Sequence, residues 1–201
     1  MGKTVTTLIA RTDESFSFVY QEAIDLLGNV RYFNPKAEVP DMRGVDLLYL
    51  PGGYPEKHLD ALSRAVGTRD AILRYALQGG RVIAECGGMM YLCREIVTDE
   101  SAFPMCGVLP YGITARQADR RLALGYRQFT LCGKEMRGHE FHYTRFLDPQ
   151  PPTACQVYDA RGRAVPTTVL FDGRVLASYT HLSPTSIQTA LTLLFTDHDT
   201  P

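Results

Sequence analysis

Short apolar runs separated by glycine- and proline-bearing turns fill the first half of the chain, and they alternate with stretches of helical spacing. Val5 to Ala10 is apolar-rich and reads as a strand. Ser17 to Leu27 carries Phe18, Val19, Ala23, Ile24, Leu26 and Leu27 at roughly helical spacing, and Gly28 fits a helix stop. Val30 to Phe33 is a second short strand, followed by a proline-bearing loop from Asn34 to Pro40. Val45 to Leu50 is the clearest buried strand, and it runs directly into Pro51-Gly52-Gly53-Tyr54-Pro55-Glu56. His58 to Leu77 reads as a helix with Leu59, Leu62, Val66, Ile72, Leu73 and Leu77 on its inner face, ended by Gly79-Gly80. Val82-Ile83-Ala84 is then a buried strand, and Met89 to Cys93 continues as a helix. Alternation of this kind predicts an α/β fold with a mostly parallel sheet and helices on both faces.

After Ile96 the texture changes. Cys106 to Leu109, Gly112 to Arg116, Leu122 to Leu131, Lys134 to Phe146 and Ala154 to Tyr158 read as short strands split by turns, so antiparallel pairing is expected in the C-terminal half. The segment Asp148-Pro149-Gln150-Pro151-Pro152 is a loop, because prolines cannot donate to a central ladder. Thr168 to Phe171 and Arg174 to Tyr179 flank Asp172-Gly173, a hairpin signal, and the second strand of that hairpin delivers His181. Ser183 caps a last helix, Thr185 to Phe195, with Pro184 at its first position. No repeat or low-complexity tract interrupts the 201 residues, so a single domain over 1–201 is expected.

Composition narrows the class. An apolar fraction of 45% supports a real core, and a net charge of −1 offers no broad capture of nucleic acid or an anionic membrane. The five cysteines have neither paired nor metal-like spacing, which favours reduced thiols in the cytoplasm. No long apolar segment follows Met1, so neither a signal peptide nor a membrane span is expected. Gly2-Lys3-Thr4 lacks the upstream glycine and strand that a phosphate-binding loop needs.

Chemistry concentrates where Val82-Ile83-Ala84-Glu85 meets Cys86-Gly87-Gly88. A strand turning sharply into a helix holds a reactive side chain at the apex, and the glycines let neighbouring backbone pass close. A cysteine at a helix start also sees free N–H groups and the positive dipole end, which favour thiolate. The competing reading is a small buried hydrophobe. Gly52 and Gly53, directly after a strand, place free N–H groups at the sheet edge where open α/β sheets bind ligands. A cysteine nucleophile needs a base. Among five histidines, His198 lies in a polar tail, His58 follows the glycine pair, and His139 and His142 flank Glu140. His181 follows a strand end, as Cys86 does, and in a parallel sheet those ends share one edge. If His139 to His142 is a strand, His139 and Phe141 share one face and Glu140 and His142 the other. That spacing differs from a zincin helix, so no metal site is expected.

Several longer motifs recur in order: Leu50 to Glu56, Ala84 to Leu92, Gly107 to Pro110, Leu124 to Arg127, Arg137 to Tyr143, and Ala177 to Leu182, with Ala10 to Phe18 at the start. Together they resemble the glutamine amidotransferase domain of the cobyrinic acid a,c-diamide synthase family. The resemblance implies a flavodoxin-like class I glutamine amidotransferase fold. It implies that Cys86 attacks the side-chain amide of glutamine, forming a thioester that water hydrolyses, while His181 shuttles the proton. Gly53 and Gly87 would offer N–H groups to the oxyanion, each worth about 3 kcal/mol. Gly52, Arg137, Glu140 and Tyr143 are weaker candidates for lining the glutamine or ammonia side of the cleft. The partners implied are glutamine, an ATP-dependent ligase domain or subunit in trans, and a second copy in a homodimer. No cofactor is expected in this domain; ATP and Mg would serve the ligase, whose phosphate-binding loop this chain lacks. Many class I glutaminases have a carboxylate two positions after the histidine. Here that position is Ser183, so the expectation is a dyad. Two rival readings are a non-catalytic docking module that kept the fold, and another elbow-cysteine protein of the flavodoxin-like superfamily.

Overall fold

The structure, a computed structural model, describes residues 4–12 and 15–196. Along the chain come β1 (Thr6–Ala10), α1 (Gln21–Leu26), β2 (Asn29–Phe33), β3 (Leu47–Leu50), α2 (Leu59–Arg64), α3 (Val66–Leu77), β4 (Arg81–Glu85) and α4 (Gly87–Leu92). Then follow β5 (Cys93–Val97), β6 (Ala102–Pro104), β7 (Leu109–Thr114), β8 (Ala123–Leu131), β9 (Lys134–His142) and β10 (Arg145–Phe146). The chain ends with β11 (Val157–Tyr158), β12 (Ala164–Val165), β13 (Val169–Phe171), β14 (Val175–Ser178), β15 (His181–Leu182) and α5 (Pro184–Phe195).

The central sheet has six strands in the order β13-β14-β4-β3-β1-β2. Every neighbouring pair is parallel except β13, which joins β14 antiparallel at the edge. The apolar runs explain this, because each strand feeds both faces. Leu48, Leu50, Val82 and Ala84 face one core with Leu62 of α2, Ile72 of α3 and Met89 of α4. Leu47, Tyr49 and Ile83 face the other with Ala23 of α1 and Ile187, Ala190 and Leu194 of α5. Strands covered on both sides need continuous apolar sequence. A four-stranded sheet, β10-β7-β5-β6, extends the first core through Ile96, Ile113 and Phe146. A five-stranded sheet, β12-β11-β8-β9-β15, extends the second through Phe129, Met136 and Val157. The α/β class, the parallel centre and the antiparallel pairs in the C-terminal half all match the sequence reading.

Local boundaries differ from it. The helix expected over 17–27 begins at Gln21, because Ser17 and Phe18 instead donate their N–H groups to the Gly52 carbonyl (3.0 and 3.1 Å). The helix expected over 58–77 breaks at Ala65, and the Arg69 guanidinium caps the freed Ser63 carbonyl at 2.9 and 3.1 Å. Val66 and Leu77, expected inside, are 51% and 76% exposed. The strand expected at Cys106 begins only at Leu109, while β5 and β6 form from residues to which no strand had been assigned. Lys134 to Phe146 splits into β9 and β10. Among the described residues no helix is long and apolar enough to cross a membrane.

Candidate active site

Cys86 sits alone between β4 and α4, at φ 48° and ψ −110°. A non-glycine residue there stores about 1–3 kcal/mol, which the flanking contacts must hold. They do: the Cys86 N–H donates to Ser178 of β14 (2.7 Å), and the Cys86 carbonyl accepts from Met90 of α4 (2.9 Å). A Cβ on Gly87 would stand 2.6 Å from the Gly53 oxygen, and one on Gly88 would stand 2.5 Å from the Leu50 carbonyl carbon. Both glycines are therefore steric requirements of a helix start pressed against the β3 end.

His181 reaches the same cleft from the other side. After β14 the chain crosses to pair with β9, setting His181 opposite His139 in antiparallel register. Their rings stack at 4.8 Å and 6°, and the Phe18 ring meets His181 edge-on at 6.2 Å. The imidazole rests on Gly52, where a Cβ would stand 2.7 Å from Nδ1 and 3.2 Å from Nε2. Cys86, His181, His139, Gly53, Phe141 and Tyr20 line one cleft of about 470 Å³. Its volume is that of a small-molecule site.

The electrostatics correct one expectation. Burial pushes the Cys86 thiol well up, the Glu56 carboxylate beside it adds to this, and the Gly87 N–H directed at the sulfur opposes it. The dipole of the six-residue α4 does not prevail, so the ligand-free cleft favours thiol over thiolate. Burial also lowers the His181 pKa to about 4, helped by His139 and His142 and opposed by Glu140. In the ligand-free cleft the thiol is neutral, with Sγ donating to the Phe141 carbonyl at 3.8 Å, and the His181 imidazole across the same cleft is neutral too.

A second polar layer lies behind the cleft wall. Glu140 accepts from Thr167 (2.7 and 2.9 Å) and stands 3.5 Å from both Arg127 Nε and His142 Nε2. Burial works against its charge, but His142, Thr167 and Arg127 more than offset that and hold its pKa down. The His142 ring stacks on buried Tyr179 at 3.5 Å. The expected alternation on β9 thus holds, with His139 and Phe141 toward the cleft and Glu140 and His142 inward.

The weaker candidates separate. Gly52 sits under the His181 ring instead of lining the cleft. The structure does not bring Arg137 to the cleft: its side chain is exposed and paired with Glu135 at 2.5 Å, along a different depression. Tyr143 is not among the residues that line the cleft; its ring centroid lies 5.8 Å from that of Phe141, and the Arg120 guanidinium stands 4.8 Å above it. His58 immediately precedes α2, its Nδ1 3.5 Å from Lys36 Nζ. His198, the Gly2-Lys3 pair, and Asp13 and Glu14 of the first motif lie outside the described residues. Among the described residues no group of three or more His, Cys, Asp or Glu converges on a metal-sized site. The sequence reading missed Phe18, Tyr20 and Glu85. Phe18 and Tyr20 were hidden inside a helical pattern. Glu85 carried one signal, a lone carboxylate closing an apolar strand.

Comparison with known proteins gives the family and the fold. The family model of the CobB/CobQ-like glutamine amidotransferase domain matches residues 9–187. A hydrogenobyrinate a,c-diamide synthase of Stutzerimonas stutzeri is 39% identical over 180 residues, covering 84% of this chain and 40% of the relative. A cobyrinate a,c-diamide synthase of Thermoplasma acidophilum is 35% identical over 184 residues, covering 85% of this chain and 40% of that protein. The chain therefore spans about two-fifths of the length of these relatives. A glutamine amidotransferase of Thermotoga maritima shares the fold at TM-score 0.58 and 15% identity, over 90% of this chain and 76% of that one. Another glutamine amidotransferase structure superposes at TM-score 0.60 and 18% identity, over 94% and 97% of the two chains.

Proposed function

The chain belongs to the family of CobB/CobQ-like glutamine amidotransferase domains, and from that premise we propose that it hydrolyses glutamine at Cys86 and supplies the ammonia to an ATP-dependent ligase that amidates tetrapyrrole carboxylates of the cobyrinate type. Sγ of Cys86 attacks the side-chain amide carbon while His181 accepts the thiol proton. The oxyanion that forms meets the N–H groups of Gly53 and Gly87. Return of the proton from His181 to the amide nitrogen breaks the C–N bond and releases ammonia, leaving a γ-glutamyl thioester. A water deprotonated by His181 then attacks that thioester and frees glutamate and the thiol. His181, neutral at physiological pH, has a ring nitrogen free to take the proton in both steps.

The observation that carries this reading is the meeting of a strained elbow cysteine and a buried histidine in one cleft, with the Gly87 N–H directed at the sulfur. Arg137 and Tyr143 receive no step. The substrate and the ligase come from the relatives' names and greater length; on this reading ATP and Mg act there. A docking module without turnover is the second reading, and the upward push on the Cys86 thiol favours it. The test is glutamate release from glutamine by the native chain and by Cys86→Ser, with and without the ligase portion of a cobyrinate a,c-diamide synthase. Release that requires Cys86 and rises with the ligase supports the proposal. No release in either condition by folded protein leaves the docking module.

A further inference from the structure

Glu85 is a carboxyl with no part in the chemistry above. It closes β4, immediately before the nucleophile, and is only 3% exposed. Its side chain points to the face of the sheet opposite α4. There Oε1 accepts the Tyr49 hydroxyl and Oε2 accepts the backbone N–H of Leu182. That N–H belongs to the peptide bond joining His181 to Leu182. The carboxyl therefore grips the backbone of the base from the residue next to the nucleophile.

Among the described residues nothing else takes this task. On β15 the antiparallel pairing with β9 uses the opposite side: Ser183 donates to the Arg137 carbonyl at 2.9 Å, while Leu182 N–H turns away toward β4. Ser183, two positions after His181, is occupied as the cap of α5, its hydroxyl accepting from Ser186 N–H at 3.3 Å. No carboxylate among the described residues bonds to the His181 ring, which is held by stacking and by Gly52. Burying a carboxyl beside no cation is costly, so a merely structural filler would be apolar. The Glu85 acceptors instead meet two buried donors that an apolar residue would leave unsatisfied.

Resting on the glutaminase reading, we propose that Glu85 is the positioning residue for His181: it fixes the His181–Leu182 peptide relative to Cys86, the role a carboxylate after the histidine fills elsewhere, but through backbone instead of the ring. Losing this grip frees the base to shift by a fraction of an ångström to an ångström, and a misplacement of about 1 Å costs about 10²-fold in rate.

The test measures the rate at which a glutamine-like chloromethyl ketone alkylates Cys86 in the native chain. Its variants are Glu85→Met, Glu85→Gln, His181→Ala and the double variant of Glu85→Met with His181→Ala. Protection by glutamine gives the affinity separately. Glu85→Met is expected to slow labelling by about 10²-fold with unchanged protection, and Glu85→Gln, which keeps an acceptor for Leu182, restores most of the rate. In the His181→Ala background Glu85→Met causes no further loss, because the two act as one unit. Additive losses, an unaffected Glu85→Met, or a Gln variant as slow as Met would overturn the proposal while leaving the Cys86–His181 pair standing. A native chain unlabelled at Cys86 would sink the glutaminase reading and this proposal with it. Should Glu85→Met not fold, Tyr49→Phe removes the second hold on the carboxyl; a severalfold loss that vanishes without His181 supports the role, and no loss refutes it.

Discussion

Replacing Gly52 with alanine adds one carbon beneath the base. The Gly52 backbone is not in the left-handed region, so alanine meets no conformational penalty there and the effect is steric. The new Cβ would stand 2.7 Å from His181 Nδ1 and 3.2 Å from Nε2, where ordinary contact begins at 3.4 Å. It would crowd Cε1 more closely still, so ring or loop must yield by on the order of 1 Å, a misplacement that costs about 10²-fold in rate. The ring cannot rise freely, because His139 stacks on it at 4.8 Å and Phe18 closes its edge. The loop cannot drop freely either, since the Gly52 carbonyl accepts from both Ser17 and Phe18. The expected result is a loss of about 10²-fold in kcat for Cys86-dependent glutamate release, equivalent to about 3 kcal/mol. Overpacking of this kind lowers stability by only about 1–3 kcal/mol. Assays with the ligase portion of a cobyrinate a,c-diamide synthase present, alongside urea unfolding, separate the two effects. Gly67→Ala is the control: its Cβ meets only the end of the Val39 side chain, itself 67% exposed and able to yield, in the first turn of α3 far from the cleft, so activity should hold and stability change by less than about 1 kcal/mol. Activity within threefold of native in folded Gly52→Ala would refute the assignment of Gly52 as the seat of His181.

Three further outcomes follow from the buried charges. Burial pushes the Glu85 pKa up from 4.5 to about 7. The folded state thus holds the proton where the unfolded state releases it, and stability is lost as pH rises across that window; Glu85→Gln should be more stable than native above pH 7 by up to about 3 kcal/mol and equal near pH 4, in urea titrations at both. With its thiol pushed up by burial, Cys86 of the ligand-free chain should react with iodoacetamide at least about tenfold more slowly than an ordinary free thiol, as mass spectrometry of the Cys86 peptide will show; a faster reaction would contradict the neutral pair. Arg127→Met leaves the Glu140 carboxylate with one fewer partner in a buried layer and should lower stability by roughly 3 kcal/mol, while adding Glu140→Leu should recover part of it.

What was legible in the sequence was whatever depended on one face or one turn at a time. Apolar runs such as Val45 to Leu50 and Val82 to Ala84 announced buried strands, and β3 and β4 are covered on both sides, β3 starting only at Leu47. The glycines after Cys86 announced a tight elbow, and a close approach of the Leu50 and Gly53 backbones requires them. Ser183-Pro184 announced a helix start, and the Ser183 hydroxyl caps it. The misses share a cause: a tertiary partner claimed the residue. Phe18 fits a helical pattern, yet the Gly52 carbonyl draws it into an extended segment that walls the cleft. Val66 fits the inner face of a long helix only if that helix does not break at Ala65, and the break becomes visible once Arg69 is seen capping Ser63.

The charge state of Cys86 was the deepest miss, and its reason bears on how the site works. Position at a helix start argued for thiolate, a local effect worth about 0.3–1 kcal/mol at an exposed terminus. The pocket opposes it with complete burial and with the carboxylates of Glu56, Glu140 and Glu85 nearby. Those residues lie far from Cys86 in sequence, apart from Glu85, and only the folding of β9 and of the segment after β3 against the elbow brings them close. On the proposed mechanism, a pair that rests neutral must develop charge during attack, so the oxyanion donors and the seating of His181 would decide the rate more than any prior activation of the thiol. Gly52, His139 and Glu85 touch no substrate in the step drawn above, yet each fixes that seat from a different side. Their substitution should therefore lower kcat while leaving glutamine affinity nearly unchanged, the pattern of an interaction felt only in the transition state.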